Sequence, residues 1–505
     1  MSKVRRGVLL AAACSAAFLA GGVASAETLA DAIALAYETN PTLQAQRASQ
    51  RALDESVVQA RAAGYRPQIS GGVTAGWTET RTPGGGTTLV DRDGDGIPET
   101  PVAISGVSER NSGGATISAS QPIWTGGRAK SAVEASEADI LAGRENLRRV
   151  EMTVLQTVIG AYVDVRRDMQ SLAIRQENVA VLQRALEEAQ ARFEVGEITR
   201  TDVAQAEARL AASQAGLALA QSSLSISRAN YAAAVGQNPT DLAPEPPIAP
   251  LLPATIEQAF DSAENNNAQL RAAEYAEQGS RARLAAAKAE HLPSLAATGS
   301  VGFNGQLDPF ETSDYSRTIS AQARLSVPIF TGGLTSSRVR AAAERNNADR
   351  ISIETARRAA LQQTTSAWSQ TIAARASVTS NNQQSAAARI AAEGTREEQR
   401  VGLRTTLDVL NAEQEYRNAQ LALVGAQRDE YVAATALLAA AGQLDARYFA
   451  QVTPYDPAAN SRKVNKALGW VPWEPLIEAV DSVGVPLTVE KPLSVNAPMA
   501  TAPTP

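Results

Sequence analysis

Cysteine and histidine each occur once in this chain of 505 residues, as Cys14 and His291. Cys14 falls in an amino-terminal segment with the pattern of a secretory signal. Lys3, Arg5 and Arg6 precede an apolar run from Gly7 to Ala20, and Ala24-Ser25-Ala26 is a small-residue cleavage site. The mature chain is therefore expected to begin near Glu27 without cysteine, which excludes disulfides, thiol catalysis and cysteine-ligated metals. A lipoprotein reading, with Cys14 acylated after Ala11-Ala12-Ala13, competes with this one but leaves a very short apolar stretch before the cut. With one histidine, no serine, histidine and aspartate arrangement stands out, and neither does a phosphate-binding glycine loop. Gly126-Gly127 and Gly332-Gly333 each follow a strand and precede a helix, but turn geometry explains both pairs. Nothing supports an enzyme.

Long hydrophobic runs are missing too. Beyond the amino terminus no stretch approaches the roughly 20 consecutive apolar residues of a membrane-spanning helix, so any crossing of a membrane must use strands. Aromatics make up only 4% of a chain rich in alanine, which argues against a single large globular core. Loss of Lys3, Arg5 and Arg6 takes the formal charge from −6 to −9, an acidic balance that argues against nucleic acid as a partner.

What is present is a duplication. Pro122-Ile123-Trp124-Thr125-Gly126-Gly127 returns as Pro328-Ile329-Phe330-Thr331-Gly332-Gly333. At the same spacing Val195-Gly196, Asp202-Val203, Ala206-Glu207 and Gly236-Gln237 return as Val401-Gly402, Asp408-Val409, Ala412-Glu413 and Gly442-Gln443. Upstream, Asn40 and Leu43 answer to Asn267 and Leu270, and Arg66-Pro67 answers to Leu292-Pro293. The register shift leaves the first half with about twenty extra residues, an insertion that belongs at a loop tip. The expected organisation is a signal peptide (1–26), a first repeat (27–242, with a hairpin at 67–124), a Pro-rich linker (243–254), a second repeat (255–443, with a hairpin at 293–330) and a tail (444–505) whose proline-rich composition reads as partly wrapped, then disordered.

Within each half the period changes. Thr28 to Tyr65 reads as helix with a break at Asn40-Pro41, where proline can begin a helix but not continue one. Ile69, Gly71, Val73, Ala75 and Trp77 then alternate with polar or small residues, and Leu295, Ala297, Gly299, Val301 and Phe303 do the same. Alternation over about ten residues is the pattern of a membrane strand with one apolar face. Return strands end at the Pro-Ile motifs, giving one hairpin per half. Four strands cannot close a barrel, because an open edge in lipid leaves backbone groups unpaired, so insertion would require oligomerisation. From Gly127 to Val195 runs a stretch that as helix would measure about 100 Å. Gly196 stops it, and a second helix follows from about Thr201 to Val235. Val203, Ala206, Leu210, Ser213 and Leu217 fall at heptad spacing there, matched by Val409, Ala412, Tyr416, Ala419 and Leu423. A periplasmic structural coiled coil would share this periodicity, but not the hairpins between the helical spans.

Up to Gly442 the sequence resembles the TolC-family outer-membrane factors. The residues that carry the likeness are Asn40-Pro41-x-Leu43, the Pro-Ile-x-Thr-Gly-Gly turns, Arg192-Phe193-x-Val195-Gly196 with Thr201-Asp202-Val203, and Val401-Gly402-x-Arg404-Thr405-x-x-Asp408-Val409-Leu410-Asn411-Ala412. The resemblance implies an α+β membrane protein, with a long α-helical coiled-coil barrel and a transmembrane β-barrel completed by trimerisation, four strands per protomer. Twelve strands would close one barrel in outer-membrane lipid and twelve helical columns one periplasmic tunnel. It also implies an exit duct docked on a periplasmic adaptor (membrane fusion) protein and an inner-membrane ABC or proton-driven pump. The stretch from Arg404 to Asn411 is most similar to the channels of type I protein secretion, which also serve drug export; a multidrug efflux channel is the alternative.

By that resemblance Asp408 and Asn411, three apart on one helix face, line the tunnel's periplasmic constriction. Three copies of Asp408 would form a carboxylate ring that raises its own pKa and favours cations. The family can carry a second aspartate where Asn411 stands, which predicts a weaker cation preference here. Arg404 resembles a gate arginine whose partners match Thr201 and Asp202, while Gln399 replaces the family's gate tyrosine. Bland alternatives stand beside these roles. Thr405-x-x-Asp408 and Thr199-x-x-Asp202 both fit capping boxes, and a solvated arginine at a helix turn is ordinary. Asp91, Asp93 and Asp95 have oxygen ligands at calcium-loop spacing, but the twelfth position of such a loop is Val102 rather than glutamate. A solvated acidic loop, or a surface for outside partners such as phage, competes with calcium there.

Overall fold

The computed structural model describes residues 26–81, 86–103, 106–307, 311, 315–464 and 469–483. The signal segment with Cys14 and the end of the tail lie outside them. The chain forms two compact units, each drawing on both repeats: one takes residues up to 50, 143–273 and 353–457, the other 51–142, 274–352 and 458 onward.

In the first unit, α1 (Leu29–Thr39) begins with Thr28 and Asp31 in a capping box and ends at Asn40. The Asn40 side chain then caps α2 (Pro41–Tyr65), its Oδ1 accepting from the amides of Thr42 (3.0 Å) and Leu43 (3.3 Å). The second repeat does the same. α5 (Ile256–Asn266) ends at Asn267, whose Oδ1 accepts from the amides of Gln269 (3.0 Å) and Leu270 (3.1 Å) at the start of α6 (Ala268–Ala289). The other amide group of each asparagine reaches across, Asn40 Nδ2 to the Ala234 carbonyl and Asn267 Nδ2 to that of Ala440. One residue thus caps one helix and pins another, which explains the repeated asparagine.

Two helices of 67 residues, α3 (Arg128–Glu194) and α7 (Leu334–Arg400), each span about 100 Å at 1.5 Å per residue. They are followed by α4 (Arg200–Val235) and α8 (Thr406–Ala440). The core of the first unit gathers Leu29, Ile33, Val158, Ile159, Tyr231 and Leu438 around Tyr162. Burial pushes the Tyr162 phenol up to about 12, and its hydroxyl lies 3.0 Å from the Glu27 carbonyl and 2.6 Å from that of Ala243. Elsewhere the seams are narrow: Ala206 and Ser213 on α4 and Ala419 on α8 are buried, with Val203, Leu210, Val409 and Tyr416 half-buried beside them.

The second unit holds an antiparallel sheet of β1 (Gln68–Arg81), β4 (Val107–Trp124), β5 (Ser294–Gln306) and β6 (Ser316–Ser326), in that order. The register sorts the side chains. Ser70, Ser118, Ser300 and Ser320 form one row across all four strands, with Oγ to Oγ distances of 2.9 Å (Ser70 to Ser118) and 2.8 Å (Ser300 to Ser320). The next row, on the opposite face, is Gly71, Ile117, Val301 and Ile319. One face is therefore polar and the other apolar and exposed, and β1 and β6 are the sheet's edges. The insertion in the first repeat, expected as a solvated loop, also contains a ribbon of β2 (Thr87–Val90) and β3 (Thr100–Ala103). Pairing of Leu89 and Val90 with the segment after Ile97 gives that loop a stem. The tail forms two short helices in its described part, α9 (Pro457–Val464) and α10 (Glu474–Asp481), and Ile477 of α10 packs with Val57, Tyr65, Ala129, Val133 and Ile140. Among the described residues, no helix is long and apolar enough to cross a membrane.

Candidate functional site: the two helix–helix turns

Of the residues singled out from the sequence, Thr201, Asp202, Arg404, Asp408 and Asn411 lie in or just beyond two turns of one construction, between α3 and α4 and between α7 and α8. Each long helix ends in a glycine with positive φ, 76° at Gly196 and 82° at Gly402. There the amide of Gly402 donates to the Gln399 carbonyl (2.9 Å) and that of Leu403 to Glu398 (2.8 Å), while Gly196 and Glu197 do the same with Phe193 and Arg192. A left-handed residue of this kind closes the last carbonyls of a helix, and glycine adopts it without Cβ strain.

Each following helix opens on a Thr-Asp capping box. Thr405 donates through its amide (3.1 Å) and its hydroxyl (2.8 Å) to Asp408 Oδ2, and the Asp408 amide donates back to Thr405 Oγ1 (3.2 Å). Thr199 donates to Asp202 Oδ2 in the same two ways (3.0 and 2.8 Å). The Thr405 hydroxyl first, then its amide, holds the Asp408 carboxyl below its ordinary value, and Thr199 does so for Asp202. The carboxylates satisfy free amides at the helix starts, as the capping pattern anticipated.

The Arg404 guanidinium is exposed and donates through Nε to Glu398 Oε2 at 2.9 Å, a bond that raises its pKa further. Within one chain its ion pair is with Glu398, on the last turn of α7, rather than with Thr201 or Asp202 at the start of α4. Asn411 Oδ1, six residues past the Thr405 cap, accepts from Arg209 Nη2, ten residues past the Thr199 cap, at 2.9 Å, a bond that ties α8 to α4. Gln399 Nε2 on the last turn of α7 reaches Thr406 Oγ1, the first residue of α8, at 3.5 Å across the turn.

Sequence reasoning missed a charge network deeper along the same helices. Glu413 and Arg417 of α8 are both buried. Arg396 of α7 is ion-paired with Glu413, and Arg417 Nη1 lies 3.1 Å from Glu177 Oε2 of α3. Together they line a groove of about 500 Å³ with Glu188, Arg192 and Arg400. Glu413 and Arg417 are buried and paired, while their partners Arg396 and Glu177 are 42% and 61% exposed, so the cluster links α8 to α7 and α3 by ion pairs that reach out to the solvent. The only local signal was Glu413 and Arg417 at i and i+4.

At the first repeat's hairpin tip, Asp91, Asp93 and Asp95 are brought together as their spacing suggested, and Glu99 joins them, each offering a carboxylate oxygen within 4.8 Å of the others. Four carboxylates suit a hard cation such as calcium. The loop is also self-supporting. Asp91 accepts from the amides of Gly94 (2.7 Å) and Gly96 (2.8 Å), which lower its pKa in that order.

The family model described as outer membrane efflux protein matches residues 32–237 and 259–443, the two repeats in turn. Outer membrane efflux protein BepC of Brucella suis is 35% identical over 460 residues, covering 90% of this chain and 94% of that protein. Alkaline protease secretion protein AprF of Pseudomonas aeruginosa is 27% identical over 336 residues, covering 65% and 69%. The outer-membrane channel OprN shares the fold, with a TM-score of 0.68 at 22% identity over 82% of this chain and 90% of that one. The chain belongs to the outer membrane efflux protein family, the TolC-type channels of the outer membrane that extend into the periplasm, and these are not enzymes.

Proposed function

We propose that three copies of this chain close one duct through the outer membrane and periplasm. The observation that carries this reading is the sheet: four strands, an exposed apolar face and two unpaired edges. In lipid every backbone amide needs a partner, so β1 of one copy would pair with β6 of the next, and twelve strands would close the barrel. The paired helices α3 with α4 and α7 with α8 would supply the twelve columns of the tunnel. The leader at 1–26, the repeats at 27–242 and 255–443, the linker at 243–254 and the tail from 444 belong to the same proposal.

At the periplasmic end, three Asp408 side chains would face one axis with Asn411 beside them. Mutual repulsion would raise their pKa against the lowering by Thr405, and the ring would attract cations. Arg404 would exchange its exposed partner Glu398 for Thr201 and Asp202 of a neighbouring coiled coil in the shut state. The exposed turns offer docking points for a periplasmic adaptor and, through it, an inner-membrane ABC or proton-driven pump.

The cargo we assign is protein, through a type I secretion system, supported by the sequence from Arg404 to Asn411 and by likeness to a relative named for protease secretion. The higher identity to a relative named for efflux favours a second reading, small-molecule export. Culture-medium proteins and drug sensitivity, compared in cells with and without the gene, separate the two. Loss of one or a few large secreted proteins supports secretion. An unchanged set of secreted proteins with heightened drug sensitivity supports efflux, and no change in either contradicts an export role.

A further inference from the structure

The helix α10 is built inside out. Glu474, Ile477 and Asp481, on one side, are buried, whereas Pro475, Leu476, Ala479 and Val480 on the other side are exposed. Leu476 is 67% exposed, Val480 41% and Val483, just beyond, 69%. A surface helix in water shows the reverse arrangement. The acids face inward because partners wait there. Glu474 accepts from Arg66 Nε at 2.9 Å, with side chains only 4% and 9% exposed. Asp481 Oδ1 accepts from the Thr125 amide (2.5 Å), the Thr125 hydroxyl (2.8 Å) and the Gly127 amide (3.3 Å), just ahead of α3. The outward face is left without charge.

Its position is equally specific. Trp124 Nε1 donates to the Val483 carbonyl (3.1 Å), and Trp473 Nε1 lies 3.4 Å from Gln121 Oε1. Gln121 shares strand parity with Ile117 and Ala119, and Trp124 pairs with Leu295, so both belong to the apolar face of the sheet, at the end of β4 that leads into α3. The outward face of α10 therefore continues the apolar sheet face. Indoles mark the level: of the five tryptophans in the sequence, Trp124, Trp470 and Trp473 are in this region, and Phe330, the second repeat's counterpart of Trp124, is exposed. Trp77 lies toward the other end of the same face, eight residues beyond Ile69. Trp77 pairs with Asn111, thirteen residues before Trp124 on β4, which is about 40 Å along the strand and roughly 30 Å in height for a strand tilted about 40°, enough to bracket the roughly 25 Å apolar band of a membrane barrel.

We propose that α10, with Trp470 and Val483 flanking it, is an interfacial membrane helix. Its apolar face lies in the headgroup region of the periplasmic leaflet of the outer membrane, and its acids clamp the sheet-to-helix turn of the first repeat at that surface. The occupant of the apolar face is phospholipid. Tryptophan concentrates at this boundary because it has an apolar body and a hydrogen-bonding edge, and an amphipathic helix lying in it buries one face among the acyl chains. The assignment rests on insertion of the sheet as proposed above.

The test uses the full chain in a Cys14→Ser background, reconstituted in vesicles of phosphatidylethanolamine and phosphatidylglycerol. A nitroxide is attached at Leu476→Cys, at Val480→Cys or, as the reference, at Val73→Cys on the sheet's apolar face. All three sites are exposed in the single chain, so labelling leaves Arg66, Glu474 and Asp481 in place. Collision rates with oxygen, which concentrates in lipid, and with a water-soluble nickel chelate then report the surroundings. The expected result is oxygen preference at all three sites, with 476 and 480 shallower than 73. Nickel preference at 476 and 480 with oxygen preference at 73 overturns the interfacial helix and leaves the inserted sheet standing. Protection from both reagents at 476 and 480 shows a protein cover, a second copy or a partner, and also overturns it. Nickel preference at 73 overturns the inserted sheet, and the interfacial helix with it.

Discussion

Arg66 and Glu474 form a buried ion pair across 408 positions of sequence. Removing one charge from such a pair leaves the other desolvated and uncompensated, so Glu474→Gln should cost about 3–5 kcal/mol. Thermal unfolding followed by circular dichroism should show a lower midpoint for the region around the sheet, and an unchanged midpoint would mean that water reaches Arg66. The capping aspartates Asp31, Asp202 and Asp408 all have folded pKa values below their ordinary 3.8. Their contribution is therefore present above the unfolded pKa and is lost as pH falls through the lower folded value. Amide exchange at the starts of α1, α4 and α8 should stay flat from neutral pH down to about 4, once corrected for intrinsic rates, and should rise only below it. If three Asp408 side chains instead share one axis, their mutual repulsion moves the loss at α8 to higher pH than at α4. Asp408→Asn should then reduce cation over anion permeability, while Arg404→Ser should raise the open fraction; single-channel recording reads both. The caps were legible because Thr-x-x-Asp is a local pattern. Arg66 was not, because its partner sits in a tail whose composition says nothing of where it packs.

The elements follow rules of period and punctuation. The alternation from Ile69 to Trp77 lies on β1, that from Leu295 to Phe303 on β5, and glycine ends both 67-residue helices. Gly402 sits at φ 82° with no neighbouring atom within 4 Å of an added Cβ, so backbone strain alone opposes a side chain there. Gly402→Ala should cost about 1–2 kcal/mol and speed amide exchange in the α7–α8 turn roughly tenfold. Exchange spread instead along all of α8 would show that the turn and the helix open as one unit. Less legible was the ribbon of β2 and β3, whose strands are four residues each, too short for alternation to register. The network of Arg396, Glu413, Arg417 and Glu177 was hidden for a different reason. Glu413 and Arg417 read as solvated residues of a long helix, and only the packing of the neighbouring helices buries them.

At the scale of the whole molecule, duplication is the organising fact, and it was readable from the first repeated motif. Two hairpins and two helix pairs per chain give a sheet with two open edges, which one copy cannot satisfy in lipid. No pattern within one chain counts the copies, because periodicity reports the faces of an element and not how many chains share them. Nor does the lining of a wide aqueous duct need to match its cargo in the way a pocket matches a ligand, so its residues say little of what passes. The central claim is that copies of this chain close a water-filled, cation-preferring path across a bilayer. The measurement that tests it most directly is conductance of the purified protein in a planar lipid bilayer under a salt gradient. The account predicts discrete steps of uniform size with a reversal potential on the cation side, and a silent bilayer, or steps of no uniform size, would contradict it.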